Sequence, residues 1–148
     1  MFKYLVKVMV FAAVPGVFAM DSLAVSAGST VDALLVNAVT VERDEPVAVV
    51  FDPQRLNDET LPDYCLLTAQ VVLDGEAVRI TAQNLLCITE AQQVLEGTIE
   101  GEAFAANQAP VPFTCTLSRA DACQSAVLAE ELILQFRVQN DARLQPQR

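Results

Sequence analysis

The chain has 148 residues, and apolar side chains make up 53% of it, which is enough material for a folded core. Nine basic residues face nineteen acidic ones, so the net charge is −10, and there is no histidine. This balance argues against binding to nucleic acid or anionic lipid surfaces. The lack of histidine excludes a Ser-His-Asp or Cys-His catalytic arrangement.

The first nineteen residues are predicted to be a secretory signal peptide. Lys3 and Lys7 precede a short apolar run, residues 8–18, and the small residue Ala19 marks the expected cleavage site. A retained membrane anchor is the alternative, but the apolar run is shorter than a membrane span requires. Cleavage leaves residues 20–148 as one β domain, in which seven arginines face nineteen carboxylates and the net charge is −12. No membrane span is expected after cleavage.

The next part of the chain is predicted to form β-strands. TVDALLVNAVTV at 30–41 alternates and is rich in β-branched residues, and VAVVF at 47–51 is expected to be a short buried strand. The stretch 52–64 is rich in Pro, Asp and Asn, which predicts a surface loop.

The segment 65–87 is predicted to be a β-hairpin. Asp74-Gly75 lies between two alternating apolar runs and is a strong signal for a two-residue turn. A turn at these residues places Leu73 opposite Glu76 and makes one face of the hairpin apolar. The other face is expected to be wetter, since it carries Thr68, Gln70, Arg79, Thr81 and Gln83.

Four cysteines in an exported chain predict two disulfides, for which three connectivities exist. We favour the local pairings Cys65–Cys87 and Cys115–Cys123 over a zinc site, because the chain has neither histidine nor Cys-x-x-Cys spacing. The predicted register, however, places Cys65 opposite Asn84, three residues or about 10 Å away from Cys87 along the strand. Either the strand breaks or bulges near 84–86, which we favour, or these two cysteines do not pair.

The last third of the chain holds one helical pattern. Residues 92–105 are predicted to be a strand region in which Gly97 and Gly101 indicate bulges or a sharp bend. In 118–134, apolar residues recur at three- and four-residue spacing, which predicts a helix with Ser118 as its cap. ILQFRV, at 133–138, is alternatively a closing strand. The end of the chain, about 139–148, is expected to be a polar tail.

Few residues point to chemistry. The acidic pairs are adjacent in sequence and would point apart on a strand or helix, so we expect solvated surface charge and no enzyme, cofactor or metal. These pairs are Asp44/Glu45, Asp58/Glu59 and Glu130/Glu131. Arg79 is predicted to lie opposite Gln70 on the wetter face, either facing solvent or contacting a neighbouring subunit.

Four stretches form a further pattern: AGSTVDALLVNAVTVERDEPVAVVF, DYC, VRITAQNLLC and LEGTIEG. Together, over about residues 27–101, they resemble the C-terminal β-barrel region of TraB-like proteins, the scaffold subunits of conjugative type IV secretion systems. The matching positions are Ala27, Gly28, Ser29, Leu34, Leu35, Pro46, Val47, Cys65, Arg79, Cys87 and Gly97.

The resemblance implies that Cys65–Cys87 is a structural disulfide and that the domain packs beside copies of itself in a ring. The family's inner-membrane helix and its long pore-lining helical hairpin have no counterpart here. The resemblance therefore implies an accessory subunit and not a channel.

Taken together, the sequence predicts an all-β, small antiparallel barrel or sandwich with disulfides and one helix near the C-terminus. The expected function is a non-catalytic periplasmic structural or accessory subunit of a type IV secretion or conjugation core complex. Its expected partners are other subunits or copies of itself. Its expected location is periplasmic or secreted, with an outer-membrane complex as the assembly with which a secretion subunit would associate. The alternative is a monomeric secreted binding module or inhibitor.

Overall fold

The computed structural model describes residues 22–57, 59–61 and 64–146, so the predicted signal peptide lies outside the described residues. The described chain forms twelve β-strands and one short 3₁₀ turn, Ala106–Gln108. The strands are β1 (Leu23–Val25), β2 (Thr30–Leu35), β3 (Val39–Glu42), β4 (Val47–Leu56), β5 (Glu59–Thr60), β6 (Tyr64–Asp74), β7 (Ala77–Ile88), β8 (Val94–Phe104), β9 (Thr114–Arg119), β10 (Ala122–Leu128), β11 (Ile133–Val138) and β12 (Ala142–Pro146).

Six strands close into an antiparallel barrel. Their hydrogen-bonding order is β2, β4, β6, β7, β8 and β11, and β11 pairs again with β2. Strand β12 pairs with β8 and with β1, and β5 pairs with β4, while β3, β10 and β9 form a separate three-stranded sheet. The predicted all-β antiparallel barrel is therefore confirmed.

The core lies inside the barrel because the strands alternate between apolar and polar residues. In β2 and β6, every second side chain is buried and the intervening ones are partly or fully exposed. Phe51 and Phe136 meet in this core edge to face, with ring centroids 5.1 Å apart. Each fully buried aromatic or aliphatic side chain contributes about 1.5–3 kcal/mol through the apolar surface it removes from water.

The β6–β7 hairpin has a register two residues away from the predicted one. Its loop residues are Gly75 and Glu76, since Asp74 pairs with Ala77 and Leu73 with Val78. Gly75 adopts φ +64°, a conformation that costs glycine little. A shift of two residues leaves each side chain on its predicted face, so the apolar face is as expected although its partners are wrong.

The predicted register left Cys65 and Cys87 three residues apart. The shifted turn removes two residues of this offset, and a β-bulge in β7 removes the third. Ala69 pairs with Ala82, but its neighbour Thr68 pairs with Asn84, so Gln83 is an extra residue on β7. Gln83 and Asn84 are consequently both exposed, and the inward positions change from even to odd numbers. The bulge favoured from the sequence is therefore confirmed, one residue before the predicted position.

The stretch predicted to be a surface loop, 52–64, is instead largely strand. Strand β4 continues to Leu56 and pairs with β2, and β5 follows it. A register shift lies beside Pro53, because Ala33 pairs with Pro53 whereas Asp32 pairs with Arg55. A bulge is one of the few places where a sheet accepts proline, so the loop-like composition did not exclude a strand.

Gly97 and Gly101 lie where β8 changes partners. The strand pairs with β12 at Leu95 and Glu96 and with β11 from Gly101 to Phe104, and its register with β7 shifts between these sites. A Cβ atom on Gly97 would lie 2.9 Å from the carbonyl oxygen of Arg143, and one on Gly101 would lie closer still to that of Arg137. The predicted irregularity is thus present, and the glycines allow neighbouring backbones to approach.

The helix predicted over 118–134 is wrong. These residues form the end of β9, then β10 and the start of β11, and Ser118 pairs with Cys123 across the β9–β10 ladder. Register shifts on β10 turn two adjacent residues, Ser125 and Ala126, inward. The alternative strand at 133–138 is confirmed as β11, which closes the barrel.

The predicted polar tail contains β12, which pairs with β1 and places Leu144 in the core. The described part of the chain includes no helix of the length and apolar character needed to cross a membrane.

Candidate protein-binding surfaces

Both predicted disulfides are present. Cys65 and Cys87 lie directly opposite each other on β6 and β7, their Cα atoms 4.1 Å apart, and both point into the barrel. Cys115 and Cys123 link β9 to β10 with Cα atoms 5.9 Å apart. No free cysteine is found among the described residues, so the thiols are used for cross-links.

Arg79 is exposed on the outer face of β7, as predicted, but lies opposite Val72 and not Gln70. Its guanidinium forms an ion pair with the carboxylate of Asp74, which lies five residues earlier in the chain, at the loop end of the same hairpin. Both side chains are more than half exposed, so the pair contributes little to stability. A subunit contact at Arg79 stays a prediction.

The acidic residues stay dispersed in the described chain. Asp44, Glu45, Glu130 and Glu131 are all exposed. Within residues 22–57, 59–61 and 64–146, no group of three acidic or cysteine side chains is arranged to hold a metal ion.

An exposed apolar cluster covers the outer face of the barrel where β6, β7 and β8 run side by side. Tyr64 is 71% exposed, Leu66 49% and Ile88 37%. The sheet register joins them, since Tyr64 pairs with Ile88 and Leu66 with Leu86, and Ile88 pairs in turn with Val94. We call this set the Tyr64 cluster: Tyr64, Leu66, Leu86, Ile88 and Val94.

The Tyr64 cluster lies on a rigid part of the barrel. On the inner side of the same strands, Cys65 and Cys87 form the disulfide that fixes their separation. Leu85 and Leu95 are fully buried beneath it, so the backbone that carries the cluster is held by the core. This backbone therefore loses little conformational freedom when a partner binds.

Carboxylates lie at the border of the Tyr64 cluster. Glu96 is exposed and pairs with Leu86 across β7 and β8. Glu90 is exposed in the turn that follows Ile88. An apolar centre bordered by negative charge is complementary to an apolar segment flanked by lysine or arginine.

The sequence carried a signal for this surface that its alternation pattern obscured. Residues 64–67 and 85–88 are uninterrupted runs of four apolar residues, whereas most of the remaining hairpin alternates. A strand that is apolar at consecutive positions is apolar on both of its faces. With one face in the barrel, the other had to be an exposed apolar surface.

A second set of exposed apolar side chains lies on β11, β2 and β4. Ile133 is 63% exposed and pairs with Leu34, while Val36 and Val50 are both exposed, with Val36 donating a backbone hydrogen bond to the carbonyl of Val50. Unlike the Tyr64 cluster, this set has no aromatic residue.

An open polar depression of about 580 Å³ lies beside the β7 bulge. Because Gln83 and Asn84 both face outward there, their amides line it together with neighbouring hydroxyl and carboxylate groups. The lining residues are Thr81, Ala82, Gln83, Asn84, Thr98, Glu100 and Gln139.

Comparison with known proteins does not place the chain in a family. No protein-family model matches it, and no curated protein is significantly similar to it. Its function has to be argued from the surfaces described above.

Proposed function

We propose that the chain is a non-catalytic structural or accessory subunit that binds another protein through the Tyr64 cluster. The observation that carries this proposal is the exposure of Tyr64, which is 71%, beside Leu66 and Ile88 on strands fixed by a disulfide. Tyrosine is enriched at protein interfaces because it buries a large area at a small entropic cost. The adjoining aliphatic residues would exclude water around it.

The two disulfides indicate an oxidising, non-cytoplasmic location. With the predicted signal peptide, they support the proposal that the chain works in the periplasm or is secreted. The resemblance to TraB-like proteins supports the finer proposal that it joins a type IV secretion or conjugation core complex. Its partners would then be other subunits of that complex or copies of itself, near the outer membrane.

The test introduces a charge into the Tyr64 cluster. Tyr64→Glu places a carboxylate where an apolar contact is proposed, and Ile133→Glu, the control, places one at a comparably exposed residue on the second apolar set. Both positions are more than half exposed, so each variant should keep the stability of the parent within about 0.5 kcal/mol.

The native mass of each protein is then measured in gently solubilised envelopes of the cells that make it. We expect the parent and Ile133→Glu to elute in an assembly together with identified core-complex subunits, and Tyr64→Glu to elute as a monomer. Conjugation frequency should fall with Tyr64→Glu. Equal elution of both variants would contradict a role for the cluster, and assembly without conjugation proteins would contradict the finer proposal.

A monomeric binding module is the second candidate, favoured by the polar depression beside the β7 bulge. Its amide and hydroxyl groups, from Gln83, Asn84 and Thr98, converge on one open site. This candidate predicts a monomer in envelope extract as well as in purified form. It also predicts that Asn84→Leu, and not Tyr64→Glu, abolishes function in the producing cells.

A further inference from the structure

The Tyr64 cluster and the polar depression are neighbouring parts of one outer surface of the barrel. Both lie on the ladder that joins β7 to β8. The successive outward-facing pairs of this ladder are Ile88 with Val94, Leu86 with Glu96, and Asn84 with Thr98. Outward positions that follow each other on a strand are about 7 Å apart, so the depression begins directly beside the last apolar residue of the cluster.

The chemistry of this surface changes in order along the ladder. Its first pair is apolar, and its second joins an aliphatic side chain to a carboxylate. Its third pair is polar, and the Thr98 hydroxyl lies 3.5 Å from Oδ1 of Asn84. The next outward residue on β8 is Glu100, which lines the depression. A ligand that covers the whole surface therefore has to be apolar at one end and polar at the other.

The polar end of the surface is negatively charged. Among the described residues that line the depression, Glu100 alone carries a charge, and the others have amide, hydroxyl or methyl side chains. Glu100 is exposed, and one of its carboxylate oxygens accepts a hydrogen bond from the amide of Asn140. Arg137 lies opposite Glu102, the following outward residue of β8, and is not part of the lining. A basic group of a partner would therefore meet a carboxylate and amide oxygens here.

We propose that the Tyr64 cluster and the depression together bind one extended segment of a partner protein, with apolar residues at one end and a lysine or arginine at the other. This proposal rests on the proposed binding through the Tyr64 cluster and adds the chemistry of the partner. Val94 and Glu100 are six residues apart on β8, which is about 20 Å. An extended segment that lies along the strand therefore has its basic residue about six positions from its first apolar one.

The test uses the purified chain and synthetic peptides of seven residues. The probe is Phe-Thr-Leu-Thr-Ser-Thr-Lys, in which the first, third and last side chains of an extended peptide lie on one face and span about 20 Å. One control carries glutamate in place of the lysine. The other exchanges the leucine and the lysine, so its composition is unchanged but its charge lies over the Tyr64 cluster.

Titrations followed by NMR give the affinity of each peptide and the backbone amides whose chemical shifts it changes. We expect the probe to change shifts in two places at once, around Tyr64 and Ile88 in the cluster and around Thr98 and Glu100 in the depression. It should bind at least about threefold more tightly than either control, because only the probe places a positive charge beside Glu100.

Glu100→Gln tests the charge in the depression. Glutamine keeps an oxygen that can accept the hydrogen bond from Asn140, so the local structure should be preserved. The variant should lose most of the preference for the probe over the glutamate control, while the shift changes in the cluster remain. Glu76→Gln is the matched control, since it removes an exposed carboxylate from the loop at the other end of β7 and should keep the preference.

The outcomes separate a failure of this proposal from a failure of the proposed function. The chemistry of the partner is wrong if the probe binds no better than the controls, or not at all, while Tyr64→Glu still releases the assembly in envelope extract. Both proposals fail if the probe leaves the cluster unchanged and Tyr64→Glu keeps the native mass of the parent.

Two further results would identify another occupant and overturn the proposal. Shift changes confined to the depression would show that it is a separate polar site. Shift changes in the cluster that appear when the free chain is concentrated, together with a doubled mass, would identify a second copy as the occupant.

Discussion

The β6–β7 and β9–β10 hairpins each carry one disulfide but depend on it differently. In the first, the cysteines are 22 residues apart, almost completely buried, and flanked by β4 on one side and β8 on the other. In the second they are 8 residues apart, and β9 has a strand on one side only within the described chain. The first disulfide reinforces a hairpin that packing already holds, whereas the second replaces packing that β9 lacks.

The two hairpins therefore differ in how they are stabilised and in which groups they leave exposed. The inner face of the barrel hairpin packs in the core and stabilises it. Its outer side chains, including the Tyr64 cluster, are not needed for that packing and stay exposed. The edge hairpin presents backbone instead of side chains, since β9 buries neither face. The two hairpins therefore expose different groups, apolar side chains on the first and the backbone of a sheet edge on the second.

The largest effect should come from the barrel core. Phe51→Ala removes a fully buried ring that packs edge to face on Phe136, and we expect it to lower the free energy of unfolding by about 3–5 kcal/mol. Leu117→Ala, on β9, is the control and should cost less than about 0.5 kcal/mol. Chemical denaturation measures both. A similar loss from Leu117→Ala would show that β9 is packed more tightly than its exposure indicates.

Removing each disulfide in turn should have different effects on the stability of the two hairpins. Replacing Cys65 and Cys87 together by alanine should lower global stability by about 3 kcal/mol, because the unfolded chain gains the freedom of a long loop. Replacing Cys115 and Cys123 should cost less, at most about 2.5 kcal/mol, mainly through local opening of β9. Chemical denaturation measures the loss of stability in both variants, and amide hydrogen exchange shows which strands open. Faster exchange throughout the barrel in the second variant would contradict this division.

The smallest effect should come from the exposed ion pair on the barrel hairpin. Arg79→Ala should change the free energy of unfolding by less than about 0.5 kcal/mol, because both Arg79 and Asp74 remain largely in water. The same variant tests the predicted subunit contact, which would be seen as a loss of native mass in envelope extract at unchanged stability. Unchanged mass and unchanged stability would leave Arg79 as a solvent-facing residue.

The false helix over 118–134 shows how a bulge can mislead a sequence pattern. Residues 123, 125, 126 and 128 are buried in β10, because its register shifts turn two neighbours inward. The pairs 123/126 and 125/128 are three residues apart, which is the spacing of one helix face.

The bulge at Gln83 shows the opposite case, in which the distance that a disulfide requires indicated an irregularity in the strand register. The predicted turn left the two cysteines three residues out of register. A turn shifted to Gly75 and Glu76 accounts for two of them and the bulge for the third. Distance rules for disulfides therefore predicted an irregularity that alternation alone would have hidden.

The sequence by itself determined the β class and the inward face of the alternating strands, because alternation is a local property. It favoured the two cysteine pairs, and the structure decided them. Tertiary structure alone decided that β11 returns to β2 to close the barrel, that 52–56 continues a strand, and that 118–128 forms a hairpin. It also decided which apolar residues stay uncovered, as in the Tyr64 cluster. These outcomes depend on contacts between residues far apart in the chain, and no local pattern encodes which of those contacts will form.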